Sequence, residues 1–158
     1  LGFLDHHDLA YARKFFDRTK ELADKAKQNH LVLLLETGQE SAADLQHFLK
    51  EFNHPAVGVN FDPANMILYD KGDPIEAVRV LGPWIKHIHI KDANRTRQIG
   101  TWGAEVPWGD GQVGMQAFLE ALKEIGFEGT LAIEREAGDN RIGDILLAAN
   151  RLAGFAGK

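Results

Sequence analysis

The chain has 158 residues, 44% of them hydrophobic and 26% charged, the balance of a soluble globular protein able to bury a sizeable core. A formal charge of -5 and a pI near 5.8, with no run of Lys or Arg, exclude the electrostatic footprint of a nucleic-acid partner. The absence of cysteine excludes disulfides, thiolate metal sites and cysteine nucleophiles and makes the cytoplasm the expected compartment, and no apolar run approaches the roughly 20 residues of a membrane span.

The chain opens Leu-Gly-Phe-Leu-Asp, without an initiator Met, a basic stretch or a long apolar stretch, so no signal peptide is expected there. Gly2–Leu4 reads as a possible strand stub. Residues 8 to 29 place Leu9, Ala12, Phe15, Phe16, Leu22, Ala23 and Ala26 at helical spacing, with Asp8 as N-cap. His30 to Glu36 contains a continuous apolar run ending in an acid, the pattern of a parallel strand buried on both faces. Ser41 followed by Asp44 starts a helix to about Phe52, and Val57 to Phe61 is a strand that ends in Asp62. Asp73-Pro74 starts the next helix, which runs through Leu81. The strand Ile85 to Ile90 follows and contains His87 and His89. A helix from about Gly114 to Ile125, closed by Gly126, leads to the strand Thr130 to Ile133, which ends in Glu134. A helix over Ile142 to Ala153 finishes the chain.

Strands alternating with helices predict an α/β fold with a parallel sheet of right-handed βαβ units. A doubly wound open sheet fits the strand count, but Glu36-Thr37-Gly38-Gln39-Glu40 after the first long strand is neither GxGxxG nor a P-loop. The other architecture is part of a (β/α)8 TIM barrel, here one domain over residues 1–158 with four to five parallel strands. A complete barrel takes about 250 residues, so three or four N-terminal strands are expected to be missing and this chain to be the C-terminal half.

Three strands end in a carboxylate and one carries histidine near its end, and the C-terminal strand ends form the catalytic face of such barrels. Read singly, each acid is a helix cap or a salt-bridge partner; four such residues at successive strand ends point to one site. His87 and His89 have the same parity and share a face, so spacing leaves either as a ligand. Two Glu, one Asp and one His form an oxygen-rich set suited to Mn²⁺ first, and also to Mg²⁺, Co²⁺ or Zn²⁺.

These motifs resemble the xylose isomerase-like sugar isomerase and epimerase superfamily. The matching segments are Leu34-Leu35-Glu36, Asn60-Phe61-Asp62-Pro63-Ala64-Asn65, Lys86 to Asp92, Pro107-Trp108-Gly109-Asp110-Gly111 and Glu124 to Gly129, leading to Ala132-Ile133-Glu134. The resemblance to its ketose 3-epimerase branch implies Glu36, Asp62, His89 and Glu134 as metal ligands, and so selects the second histidine. It further implies Glu36 and Glu134 as the acid/base pair and Arg95, in Ala93-Asn94-Arg95, as a substrate-binding residue. Asn65 stands where that branch has a substrate-binding His, and Ala42 where it has a Glu. His87 and Lys91 are further candidates for the substrate side. The DNA-repair endonuclease cousin needs an Asp-x-His after the metal His, and Arg97 to Glu105 contains none.

The implied reaction is proton abstraction beside the carbonyl of a small sugar or sugar phosphate, with an enediolate intermediate stabilised by the metal. Return of the proton to the opposite face epimerises, and return to the neighbouring carbon isomerises. An inosose-type dehydratase with the same metal site is the alternative, and a metal-binding but catalytically incomplete half-barrel is the non-enzyme reading. Open sheet edges in a half-barrel predict a homo-oligomer.

Overall fold

The computed structural model describes residues 4–5, 8–98 and 100–156. The strand stub expected at Gly2–Leu4 falls, apart from Leu4, outside them. Helix α1 (Leu9–Gln28) begins where the Asp8 carboxylate accepts the N–H of Tyr11. Strand β1 (Leu33–Glu36) is shorter than the apolar run that precedes Glu36. The cause is local: His30 turns to φ 57° and the N–H of Leu31 bonds Ala26 O, so this backbone closes α1 and does not join the sheet. Leu31 and Val32 are consequently exposed, at 64% and 53%.

Helix α2 (Ala42–Phe52) is capped by Ser41, whose hydroxyl accepts from Asp44 N and donates to the Asp44 carboxylate. Strand β2 (Val57–Phe61) matches its expected bounds. The short helix α3 (Pro63–Leu68) was not anticipated, although Asp62-Pro63 carries the same N-cap and first-turn proline as Asp73-Pro74 ahead of α4 (Pro74–Leu81). A 3-10 turn, Gly82–Trp84, leads into β3 (Ile85–Ile90). Strands β4 (Asp92–Asn94) and β5 (Ala104–Val106) form an antiparallel pair apart from the main sheet; with three residues each, they carry no readable period. Helix α5 (Met115–Glu124), strand β6 (Thr130–Ile133) and helix α6 (Arg141–Ala156) complete the chain. No described helix is long and apolar enough to cross a membrane.

The main sheet has the order β1-β2-β3-β6, all parallel. Strand order in space therefore follows the chain without the reversal of a doubly wound sheet, and the fold is a partial α/β barrel. Val59 and Phe61 from β2 and Ile88 and Ile90 from β3 are fully buried, in one core with Val78 and Leu81 of α4 and Phe118 of α5. Phe15 and Phe16 of α1 meet Phe48 and Phe52 of α2 edge-on at 4.9 to 6.0 Å between centroids, locking those helices together. A bulge interrupts β2/β3: Val59 pairs with Ile85, but Asn60 pairs with His87. Gly58 accommodates it, since a Cβ there would stand 2.9 Å from Lys86 Cγ and 3.0 Å from Trp84 O.

Asp92 explains the Pro107-Trp108-Gly109-Asp110-Gly111 motif as turn chemistry. Fully buried, its Oδ1 accepts the N–H groups of Ala93 (2.8 Å) and Val113 (3.0 Å), and its Oδ2 those of Gly109 (2.9 Å) and Gly111 (3.1 Å). Gly111 is required because any Cβ there would collide with this carboxylate. Truncation leaves four main-chain donors without an acceptor, each worth about 1–3 kcal/mol. Asp92→Ala is expected to destabilise the protein by about 3 kcal/mol or more in urea unfolding, and Asp92→Asn, which keeps one oxygen, by less. A loss under about 1 kcal/mol for Asp92→Ala would contradict this role.

Candidate metal centre

Parallel pairing delivers the strand ends to one edge of the sheet. Glu36 is the last residue of β1, Asp62 follows β2, His89 is next to last in β3, and Glu134 follows β6 with its N–H on Ile90 O. The chain crossings are tied at main-chain level as well: Thr37 Oγ1 donates to Asp62 O and accepts from Asp62 N. One donor atom from each of Glu36, Asp62, His89 and Glu134 lies within 4.8 Å of the others. Nδ1 of His89 is 3.7 Å from Glu36 Oε1, 3.4 Å from Asp62 Oδ2 and 3.3 Å from Glu134 Oε2. Donors bound at about 2.1 Å around one cation are separated by roughly 3.0 to 4.2 Å, so this set could hold a metal ion.

Asp62 is fully buried and serves two ends: Oδ1 accepts the N–H of Asn65 at the start of α3, and Oδ2 faces the cluster. Asn65 Nδ2 donates to Glu36 Oε1 (3.1 Å) and Thr37 O (2.9 Å), so this side chain orients Glu36. Burial, then the nearby Asp62 charge, pushes the Glu36 carboxyl above its usual value. The hydrogen bond to Asp62 raises His89, against burial.

Lys91 lies in the link between β3 and β4. It is 3% exposed, with Nζ 2.7 Å from Glu134, 2.5 Å from Glu136 and 3.6 Å from Asp62. Burial pulls its pKa down, but Asp62 and the hydrogen bonds to Glu134 and Glu136 outweigh this and raise it. The Lys91 ammonium and the His89 imidazole face Glu36, Asp62, Glu134 and Glu136, with Glu105 at 3.9 Å from Nζ, an excess of negative charge that a divalent cation would offset. The segment after Glu134 is fixed by Glu105, whose Oε1 accepts from Glu136 N, Ala137 N and Arg135.

The other expected residues lie apart from the four. His87 Nδ1 is 2.7 Å from Asn60 Oδ1, and Asn60 Nδ2 is 3.1 Å from His89 Nε2, so His87 reaches the cluster through Asn60. Burial lowers the His87 pKa. The Arg95 guanidinium is taken up by the Asp70 carboxylate and by Gly72 O. A cavity of about 380 Å³ opens beside the cluster, lined by Glu36, Thr37, Glu40, Asn65, Lys91 and Glu136 among others. Sequence reasoning missed Asn60, Glu40, Glu105 and Glu136. Asn60 was findable, because it stands in β2 two residues before Asp62 and two is the strand period. Glu40 is a buried carboxyl, raised by desolvation, for which no spacing signal exists.

A family profile described as a xylose isomerase-like TIM barrel matches residues 2–153. A xylose isomerase domain protein from Planctomyces limnophilus is 40% identical and superposes with a TM-score of 0.88, covering 97% of this chain and 55% of that one. A xylose isomerase-like TIM barrel protein from Mycobacterium smegmatis, solved in complex with magnesium, is 27% identical with a TM-score of 0.75, covering 97% and 51%. Inosose dehydratase from Lacticaseibacillus casei is 24% identical over 133 residues, 76% of this chain and 43% of its own. The chain thus spans about half the length of the proteins it matches.

Glu36 and His89 share one sign of pH linkage. Both have folded values above their ordinary 4.5 and 6.5, so each contribution is present below those values and lost as pH rises through the folded ones. With metal chelated, the wild type is expected to lose stability relative to Glu36→Gln as pH rises above the ordinary carboxylate value. Urea midpoints measured across that range check this, and parallel curves for the two proteins would contradict it.

Proposed function

The chain belongs to the xylose isomerase-like TIM-barrel family, and on that premise we propose that it carries the divalent-metal half of a sugar or sugar-phosphate isomerase or epimerase site. The observation that carries this reading is the convergence of three carboxylates and one imidazole at successive strand ends beside an open cavity of mixed polar and apolar lining. In this proposal the chain is the C-terminal half of the barrel, and Glu36, Asp62, His89 and Glu134 hold the metal. The oxygen-rich set favours Mn²⁺, with Mg²⁺, Co²⁺ and Zn²⁺ as substitutes. A divalent cation held there supplies Lewis-acid stabilisation of the negative charge that develops on the substrate's carbonyl and adjacent hydroxyl oxygens.

The remaining work is done by the chain's own groups. Glu36 ends β1 and Glu134 follows β6, the two edge strands of the sheet, so they can approach a substrate carbon from two sides. One takes the proton beside the carbonyl and the other returns one. Asn65 holds Glu36 in place, and Lys91 holds Glu134. Lys91, Asn65 and Glu40 line the cavity that would receive the substrate's hydroxyl or phosphate groups, and Lys91 brings positive charge to it.

Incubation of the Mn²⁺-loaded protein in D₂O with a panel of ketoses and ketose phosphates is expected to place solvent deuterium on the carbon next to the carbonyl. Glu36→Gln and Glu134→Gln, assayed at saturating Mn²⁺, are expected to lower kcat/KM about 10²- to 10⁴-fold. No exchange with any substrate would overturn the reading. A second reading rests on the similarity to inosose dehydratase over 76% of the chain: the same proton abstraction followed by loss of a β-hydroxyl. Product analysis for loss of water separates the two.

A further inference from the structure

Asn60 is wedged between two imidazoles. Its Oδ1 lies 2.7 Å from Nδ1 of His87 and its Nδ2 lies 3.1 Å from Nε2 of His89. The bulge in β2/β3 creates this contact, since it brings His87 opposite Asn60. Nδ1 of His89 is the nitrogen that faces Glu36, Asp62 and Glu134. A carboxamide presents one acceptor and one donor, so the two rings it bridges cannot choose their tautomers independently.

The consequence follows from proton counting. A neutral imidazole that gives its Nδ1 lone pair to a cation carries its proton on Nε2, and that proton needs an acceptor. Asn60 is the neighbour at that nitrogen. In the orientation of the structure, its Nδ2 faces Nε2 and places the His89 proton on Nδ1 instead. A half-turn of the terminal torsion exchanges the amide's oxygen and nitrogen with little change of shape. Oδ1 then accepts from His89 Nε2–H, and Nδ2–H turns to Nδ1 of His87, which must be unprotonated.

From this geometry we propose that Asn60 is a positioning residue: it fixes His89 in its metal-binding tautomer and, by the same half-turn, holds His87 as the Nε2–H tautomer. The inference rests on the metal reading above. It gives His87 a defined part in the site although that ring is not among the four candidate ligands: it is the second ring whose proton follows loading.

Two measurements test it. Mn²⁺ titrations followed by electron paramagnetic resonance compare wild type, Asn60→Asp and Asn60→Leu. Asn60→Leu removes the acceptor and is expected to weaken Mn²⁺ binding about 10- to 100-fold, whereas Asn60→Asp still accepts from Nε2–H and keeps at least wild-type affinity. In ¹⁵N-histidine spectra of the Mg²⁺-loaded wild type, His87 is expected to carry its proton on Nε2, with Nδ1 bare. Wild-type affinity in Asn60→Leu, equal losses in both variants, or a protonated Nδ1 on His87 would overturn the assignment of Asn60 alone. A wild-type protein that binds no Mn²⁺ would instead overturn the metal reading, and this inference with it.

Discussion

Parallel pairing in chain order is the constraint from which the rest of the molecule follows. Because β1, β2, β3 and β6 run the same way and lie side by side in sequence order, each strand ends at the same edge. The apolar residues of β2 and β3 that face the helices make that arrangement stable, and the other parity is left free for chemistry. Glu36, Asp62, His89 and Glu134 therefore meet without any loop having to fold back to bring them together.

Convergence brings an electrostatic problem. Carboxylates held a few ångströms apart repel, and burial removes the water that would screen them. The chain offsets part of this with Lys91, whose ammonium spans Asp62, Glu134 and Glu136, and part with hydrogen bonds to the acids from Asn65 and from the start of α3. Burial, and after it the Asp62 charge, still holds the Glu36 carboxyl above its usual value. The same acidic site is thus one that a divalent cation could neutralise.

Much of this was legible in the sequence, and the residues explain why. A buried parallel strand is an apolar run, so a carboxylate at its end stands out; Glu36 and Glu134 were visible on that ground. The capped helices were visible because Asp8, Ser41 and Asp73 announce their first turns. Other features depend on contacts between segments distant in sequence. Nothing in His30-Leu31-Val32 shows that its backbone closes α1, and nothing in Lys91 shows that Glu136 is its partner. The choice between His87 and His89 came from a family resemblance, because parity gives both the same face. In the folded chain their contacts differ, His89 facing the acids and His87 facing Asn60. The turn that follows β5 is held by Asp92, a residue whose partners lie up to 21 positions away.

The double duty of Asp62 bears on how sequences of this kind are compared. One oxygen of that carboxylate starts α3 and the other faces the cluster. A relative that had abandoned its chemistry would still need the cap, and drift at this position would be punished through folding long after catalysis had ceased to matter. An aspartate there therefore says little about whether a family member is active. Glu36 and Glu134 begin no helix, so a glutamate kept at either of those positions is the more informative sign of a working site.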